Sequence, residues 1–261
     1  GGFRPIVFMQ HGLMVALWMA LSTTVLFWMW RSKYISHFSW IPASWFVIAM
    51  ITTTILCKSI NGIFFLSAGI ICYYLLIKLQ LKSILLLFIA ATFLYVFFRI
   101  SNTISSESII NFLAQYLDPD RIESLSIRLH QENLFVEKTL QRPLLGWGGW
   151  GRGWPIDPER GVLIGMVDSM WLIAFNGKGF LGLGSLICAM LIGPWVTLRG
   201  RYLSRMEQPV SILAVILSLI IVFFMIDCLM NGMINLVYIV CSGALVGWHM
   251  QERRHVDKKA H

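Results

Sequence analysis

The chain has 261 residues, of which 57% are hydrophobic and only 13% charged, with a formal charge of +8 and a mean hydropathy of +0.71. Soluble domains carry about a quarter charged residues, so this composition excludes an ordinary water-soluble domain, and no nucleic-acid partner is needed to explain the positive charge. The five cysteines lie in or beside apolar runs without C-x-x-C spacing, and no cluster has zinc-ligand spacing, so they read as small core hydrophobes and no metal or other cofactor is expected.

The chain opens Gly1-Gly2-Phe3-Arg4-Pro5, without Met or a signal-peptide pattern. It therefore reads as the C-terminal portion of a longer protein, a single membrane domain over 1–261. Apolar runs near membrane-spanning length follow at 11–30, 41–57, 62–77, 83–98, 179–198, 210–228 and 232–248. The expectation is an all-α, polytopic bundle of about seven spans. The second and third are short, with Lys58 between them, and also read as one bent hairpin. Eleven Trp and 17 Phe suit helices with aromatic belts.

Basic residues orient the spans. With the N-terminus outside, the inside segments hold Arg31 and Lys33, then Lys78 and Lys82, then Arg199, Arg201 and Arg205, then Arg253, Arg254, Lys258 and Lys259. The short outside segments hold only Arg4 and Lys58. This positive-inside split places residues 99–178 outside as one long loop.

A loop of that length needs structure of its own. Residues 105–117 read as a short helix. Asp118-Pro119 then reads as an N-cap followed by Pro in the first turn. Ile122, Leu125, Leu129, Val136 and Leu140 form one apolar stripe, with Arg121, Arg128 and Gln131 off it. This second, amphipathic helix suits the membrane surface or the mouth of the bundle. Residues 146–154 pack five Gly and three Trp. The formal G-x-G-x-x-G at Gly146, Gly148 and Gly151 lacks a βαβ setting, so it is not a dinucleotide site. Two readings stay open: a glycine turn that brings bare N–H groups to an anion or sugar with indoles for stacking, or a tight turn packed by Trp. Asp168 starts the next helix, either as a plain N-cap or as a general base at the membrane surface.

From Arg128 to Gly184 the chain resembles the O-antigen ligase and polymerase family of bacterial inner-membrane proteins. The resemblance rests on Arg128 in an amphipathic helix, on Pro143-Leu144-Leu145-Gly146-Trp147-Gly148, and on a polar residue (Asp168) opening a helix that ends in Gly179-Phe180-Leu181-Gly182. The opening Gly-Gly-Phe-Arg-Pro with His11-Gly12 resembles the family's preceding periplasmic turn. The sequence departs from the family where Asp168 stands in place of a typical His, and where Lys178 replaces an acidic residue.

The resemblance implies a metal-independent glycosyltransferase in the bacterial inner membrane with its long loop periplasmic. It would move a glycan from a polyprenyl diphosphate carrier to a lipid or glycan acceptor. Asp168, Arg128 and Arg4 would be catalytic, and Arg152, Trp147, Gly146 and Gly148 would bind substrate. Arginine forks suit a diphosphate leaving group. The bland alternative for Arg128 is an i,i+4 pair with Glu132, worth only ~0.3–0.5 kcal/mol. Two other functions compete: a polysaccharide polymerase of the same superfamily, and a non-catalytic transporter or assembly protein. The near absence of ionisable residues in the spans, apart from Asp227, counts against ion-coupled transport.

Overall fold

The computed structural model describes residues 5–149, 151–157, 160–165, 167–200, 202, 209–233 and 235–260. Among them the fold is all-α apart from a minimal hairpin (β1, His37–Phe38; β2, Ile41–Pro42) and an isolated bridge between Ile156 and Leu163. The helices are α1 (Gly12–Arg31), α2 (Ala43–Leu56), α3 (Ile60–Tyr73, continued by a π turn to Lys78), α4 (Ser83–Ser101), α5 (Ser106–Leu113), α6 (Pro119–Leu140), α7 (Met170–Arg199), α8 (Pro209–Asp227) and α9 (Leu236–Ala260).

Among the described residues four helices are long and apolar enough to cross a membrane: α1, α3 with its π turn, α4 and α7; α2 and the stretch Ser211–Asp227 of α8 are shorter and apolar. Large apolar side chains point outward along them, among them Phe64, Leu87, Phe97 and Leu181, each more than half exposed. A surface of that kind is stable against acyl chains rather than water, and the protein is a membrane protein. The second and third apolar runs form separate helices, linked through Lys58 at φ 49°.

The chain divides into two compact units. The first comprises residues 1–87, 193–224 and 237–261. In it α1 packs on α2 and α3. Gly62 and Gly69 lie two helical turns apart on α3 and face Ala16 and Thr24 of α1; small residues at this spacing let two helices approach closely. Trp28 is fully buried there, donates its indole N–H to the Gly69 carbonyl (3.0 Å) and meets Tyr73 edge-on. The Thr23 and Thr54 hydroxyls join α1 to α2 at 3.2 Å. Along α8, Val215, Leu219, Ile221 and Val222 are all fully buried, as expected of a helix apolar on every side.

The second unit comprises residues 88–192 and 225–236. It holds most of α4, α5, α6, the following loop and α7 as far as residue 192. Ser105 caps α5 through its side chain, and α6 begins after Asp118 with Pro119 in its first turn. Leu129 and Val136 of the apolar stripe are buried, as is Phe135, whereas Leu140 is exposed. Helix α7 is two helices joined at a break. Gly179 sits at φ 61°, ψ −155°, a region that essentially only glycine enters. The apolar run expected from 179 starts at this break, and nine further residues of helix precede it.

Candidate functional site

The site grows from a buried ion pair that joins helices far apart in sequence. Arg99, in the last turn of α4, places its Nε 2.8 Å from an oxygen of Glu132 on α6, and both residues are about 95% buried. The guanidinium also donates to Ser106 Oγ (3.2 Å), the Leu129 carbonyl (2.9 Å) and Asn133 Oδ1 (2.8 Å). Glu132 in turn accepts from the Tyr95 hydroxyl (3.0 Å) and from Ser169 Oγ (3.3 Å). A carboxylate with three donors is adequately solvated by the protein. Burial still pushes the Glu132 carboxyl above its usual range, with Arg99 and the hydrogen bonds opposing the rise.

Through Ser169 this network fixes the start of α7. The Ser169 carbonyl accepts from the Ile173 N–H (3.1 Å), which makes Ser169 the N-cap, while its hydroxyl is spent on Glu132. Asp168 therefore stands one residue outside the helix, and the N-cap reading of Asp168 is corrected. The same end of α7 is tied to the chain after α8: Met170 N–H donates to the Cys228 carbonyl (3.0 Å) and the Trp171 indole to the Leu229 carbonyl (3.2 Å).

Between α6 and the start of α7 lies a small polar cleft. Arg128, Gln131 and Glu132 line it from α6, Val167, Asp168, Ser169 and Leu172 from the entry to α7, and Met230 closes it. Its volume of about 10 Å³ corresponds to a single water position. Glu132 and Ser169 are buried, Arg128 and Gln131 are half-buried, and Asp168 is exposed. Glu132 pairs with Arg99 rather than with Arg128, so the i,i+4 pair considered from sequence does not form. Among the described residues neither Arg128 nor Asp168 has an ion-pair or side-chain hydrogen-bond partner. The cleft thus presents one uncommitted cation and one uncommitted carboxylate.

The other residues singled out in the sequence lie elsewhere. Arg4 falls outside the described residues, as does Trp150. Arg152 is exposed in the glycine-rich turn, beside Gly149, and does not line the cleft. Gly146, Trp147 and Gly148 lie against the break in α7. The Trp147 and Gly148 N–H groups donate to the Asn176 and Gly177 carbonyls (2.9 Å each), and Gly146 N–H donates to the Arg142 carbonyl (2.9 Å). Gly146 has φ 66°, and a Cβ there would lie 2.6 Å from backbone atoms of Asn176 and Gly179. The Trp147 indole donates to the Lys138 carbonyl (2.8 Å), with Lys138 Nζ and Arg142 Cζ 4.4 and 4.5 Å from the ring centre. The N–H groups of Gly146, Trp147 and Gly148 are thus committed to the protein's own backbone.

Sequence reasoning passed over Arg99, Ser169 and Asn176, and weighed Glu132 only as a partner of Arg128. Asn176 is buried and donates to Thr139 Oγ1 and the Gly153 carbonyl (2.9 Å each), holding the glycine-rich turn to α6. A signal for Glu132 was present. It stands three residues after Leu129 and four before Val136, and so lies on the apolar stripe itself. Compared with family models, curated proteins and solved structures, the chain finds no match.

Proposed function

We propose that the protein is an O-antigen ligase-like glycosyltransferase of the bacterial inner membrane, with about seven spans and the 99–178 segment on the periplasmic side. The observation that carries this reading is the polar cleft in which Arg128 and Asp168 stand together, neither committed to a protein partner. The order of the motifs from Arg128 to Gly182 supports it. The donor is a polyprenyl diphosphate-linked glycan. The Asp168 carboxylate takes the proton of an acceptor hydroxyl, whose oxygen bonds to the anomeric carbon. The bond from that carbon to the diphosphate oxygen breaks, and the leaving diphosphate carries its charge to Arg128. A planar guanidinium fork bonds two phosphate oxygens at once, and a positioned general base contributes ~10²–10⁴-fold. Both groups act from the protein itself, so the step needs no metal.

The test is the lipid-linked glycan profile of cells lacking the gene. Accumulation of the carrier-linked glycan with loss of attached product, at normal chain lengths, supports the ligase. Loss of long chains instead would move the protein to the polymerases, with a growing glycan as acceptor. An unchanged profile would reject both.

A further inference from the structure

The turn Pro143–Gly146 is held to α7 through part of its backbone, and its two leucine side chains are bare. Pro143 and Leu144 carbonyls accept from the Phe180 and Leu181 N–H groups at the α7 break (2.7 and 3.3 Å), and the chain on the far side of the turn donates to Asn176 and Gly177. The backbone groups of the turn that are not bonded to protein, among them the Leu144 and Leu145 N–H groups, need water or headgroups, which places the turn at the membrane interface. Its side chains face the other way. Leu144 and Leu145 are 72% and 69% exposed, beside the exposed Phe180 and Leu181. These four residues continue directly into the apolar second half of α7, part of a helix long enough to span. At the edge of the patch, Lys138 and Arg142 lie over the Trp147 ring. Among the described residues no carboxylate pairs with either cation. A Trp with cations bordering a bare apolar patch is the residue set of a membrane interface.

We propose that residues 142–147 form a lipid anchor at the membrane interface. Leu144, Leu145, Phe180 and Leu181 sit among the acyl chains of the adjacent leaflet, and Lys138 and Arg142 hold the phosphate of an anionic phospholipid. The inference rests on the membrane-spanning character of the chain and not on the transferase reading. It sets Asp168 roughly 12 Å from Asn176, where the turn first bonds to α7, eight residues at ~1.5 Å each.

The test uses the full chain in lipid nanodiscs, with the five native cysteines replaced and a nitroxide at Leu144→Cys or Leu145→Cys. Arg160→Cys in the loop serves as the aqueous reference and Ile192→Cys in α7 as the membrane reference. The oxygen-to-nickel collision ratio at 144 and 145 is expected to be several-fold above that at 160 and close to that at 192. A ratio equal to that at 160 would overturn the anchor. So would a ratio that rises only after lipid-linked glycan is added, which would give the patch to the substrate. Phosphatidylglycerol discs are expected to raise the unfolding temperature above that in phosphatidylcholine, and Lys138→Gln/Arg142→Gln to remove the difference. An equal rise in the double variant would overturn the phosphate contact. None of these readouts depends on transferase activity.

Discussion

Arg99→Met removes one partner of a buried ion pair and leaves Glu132 inside the second unit with only Tyr95 and Ser169 as donors. Breaking a buried pair from one side costs ~3–5 kcal/mol, and the Arg99 bonds to Ser106, Leu129 and Asn133 vanish with it. The expected loss is therefore about 4 kcal/mol, against near silence for an exposed pair such as Arg121 with Asp118. Equilibrium unfolding of the detergent-solubilised chain with SDS, followed by circular dichroism, measures it. Arg99→Met/Glu132→Leu is expected to be less destabilised than either single variant, because no uncompensated charge stays buried. The pH dependence has a definite sign. Burial raises the Glu132 carboxyl above its ordinary value, so its contribution to stability is full below that ordinary value and is lost as pH rises through the raised one. The stability of the unmodified chain relative to Glu132→Gln should therefore increase as pH falls from 8 towards 5. Additive single losses in the double variant, or a slope of opposite sign, would refute the reasoning.

Gly146→Ala should destabilise by ~2 kcal/mol or more beyond Gly148→Ala in the same titration. Both glycines have positive φ, but only at Gly146 does an added Cβ strike backbone, whereas Gly148 has open space around it. Arg128→Ala should abolish glycan transfer with membrane abundance unchanged, and Arg128→Lys should restore little, since an ammonium lacks the fork; near-normal transfer in Arg128→Ala would sink the phosphate-binding role. Asp168→Asn should lose most transfer activity without loss of stability, because Ser169 rather than Asp168 caps α7, while Asp168→His should keep activity with a pH profile centred near ~6.5. A fully active Asp168→Asn beside an inactive, folded Asp168→His would remove the base. Cysteine labelling in intact cells should find position 152 outside and positions 33, 80 and 255 inside, and cytoplasmic labelling at 152 would reverse the topology.

What the residues determined alone was local. Apolar runs mark α1 to α4 to within a few residues because span length and hydropathy are properties of contiguous chain. Asp118-Pro119 marks the start of α6 and Ser105 that of α5 because φ and capping act over three or four residues. The tertiary structure decided everything that joins distant residues. Arg99 and Glu132 are 33 positions apart, and no period in the sequence links the end of one span to the middle of a loop helix. Without that pair the natural partner for Arg128 is Glu132; with it, Arg128 is left uncommitted in the cleft. Ser169 displaces Asp168 as the cap because register at the start of α7 is set by bonds to Glu132, Cys228 and Leu229. Two glycine motifs that read separately, at 146–148 and at 177–182, become one feature because the turn bonds into the break at Gly179. The Asn176 and Gly177 carbonyls and the Phe180 and Leu181 N–H groups, freed where α7 opens, find their partners in that turn.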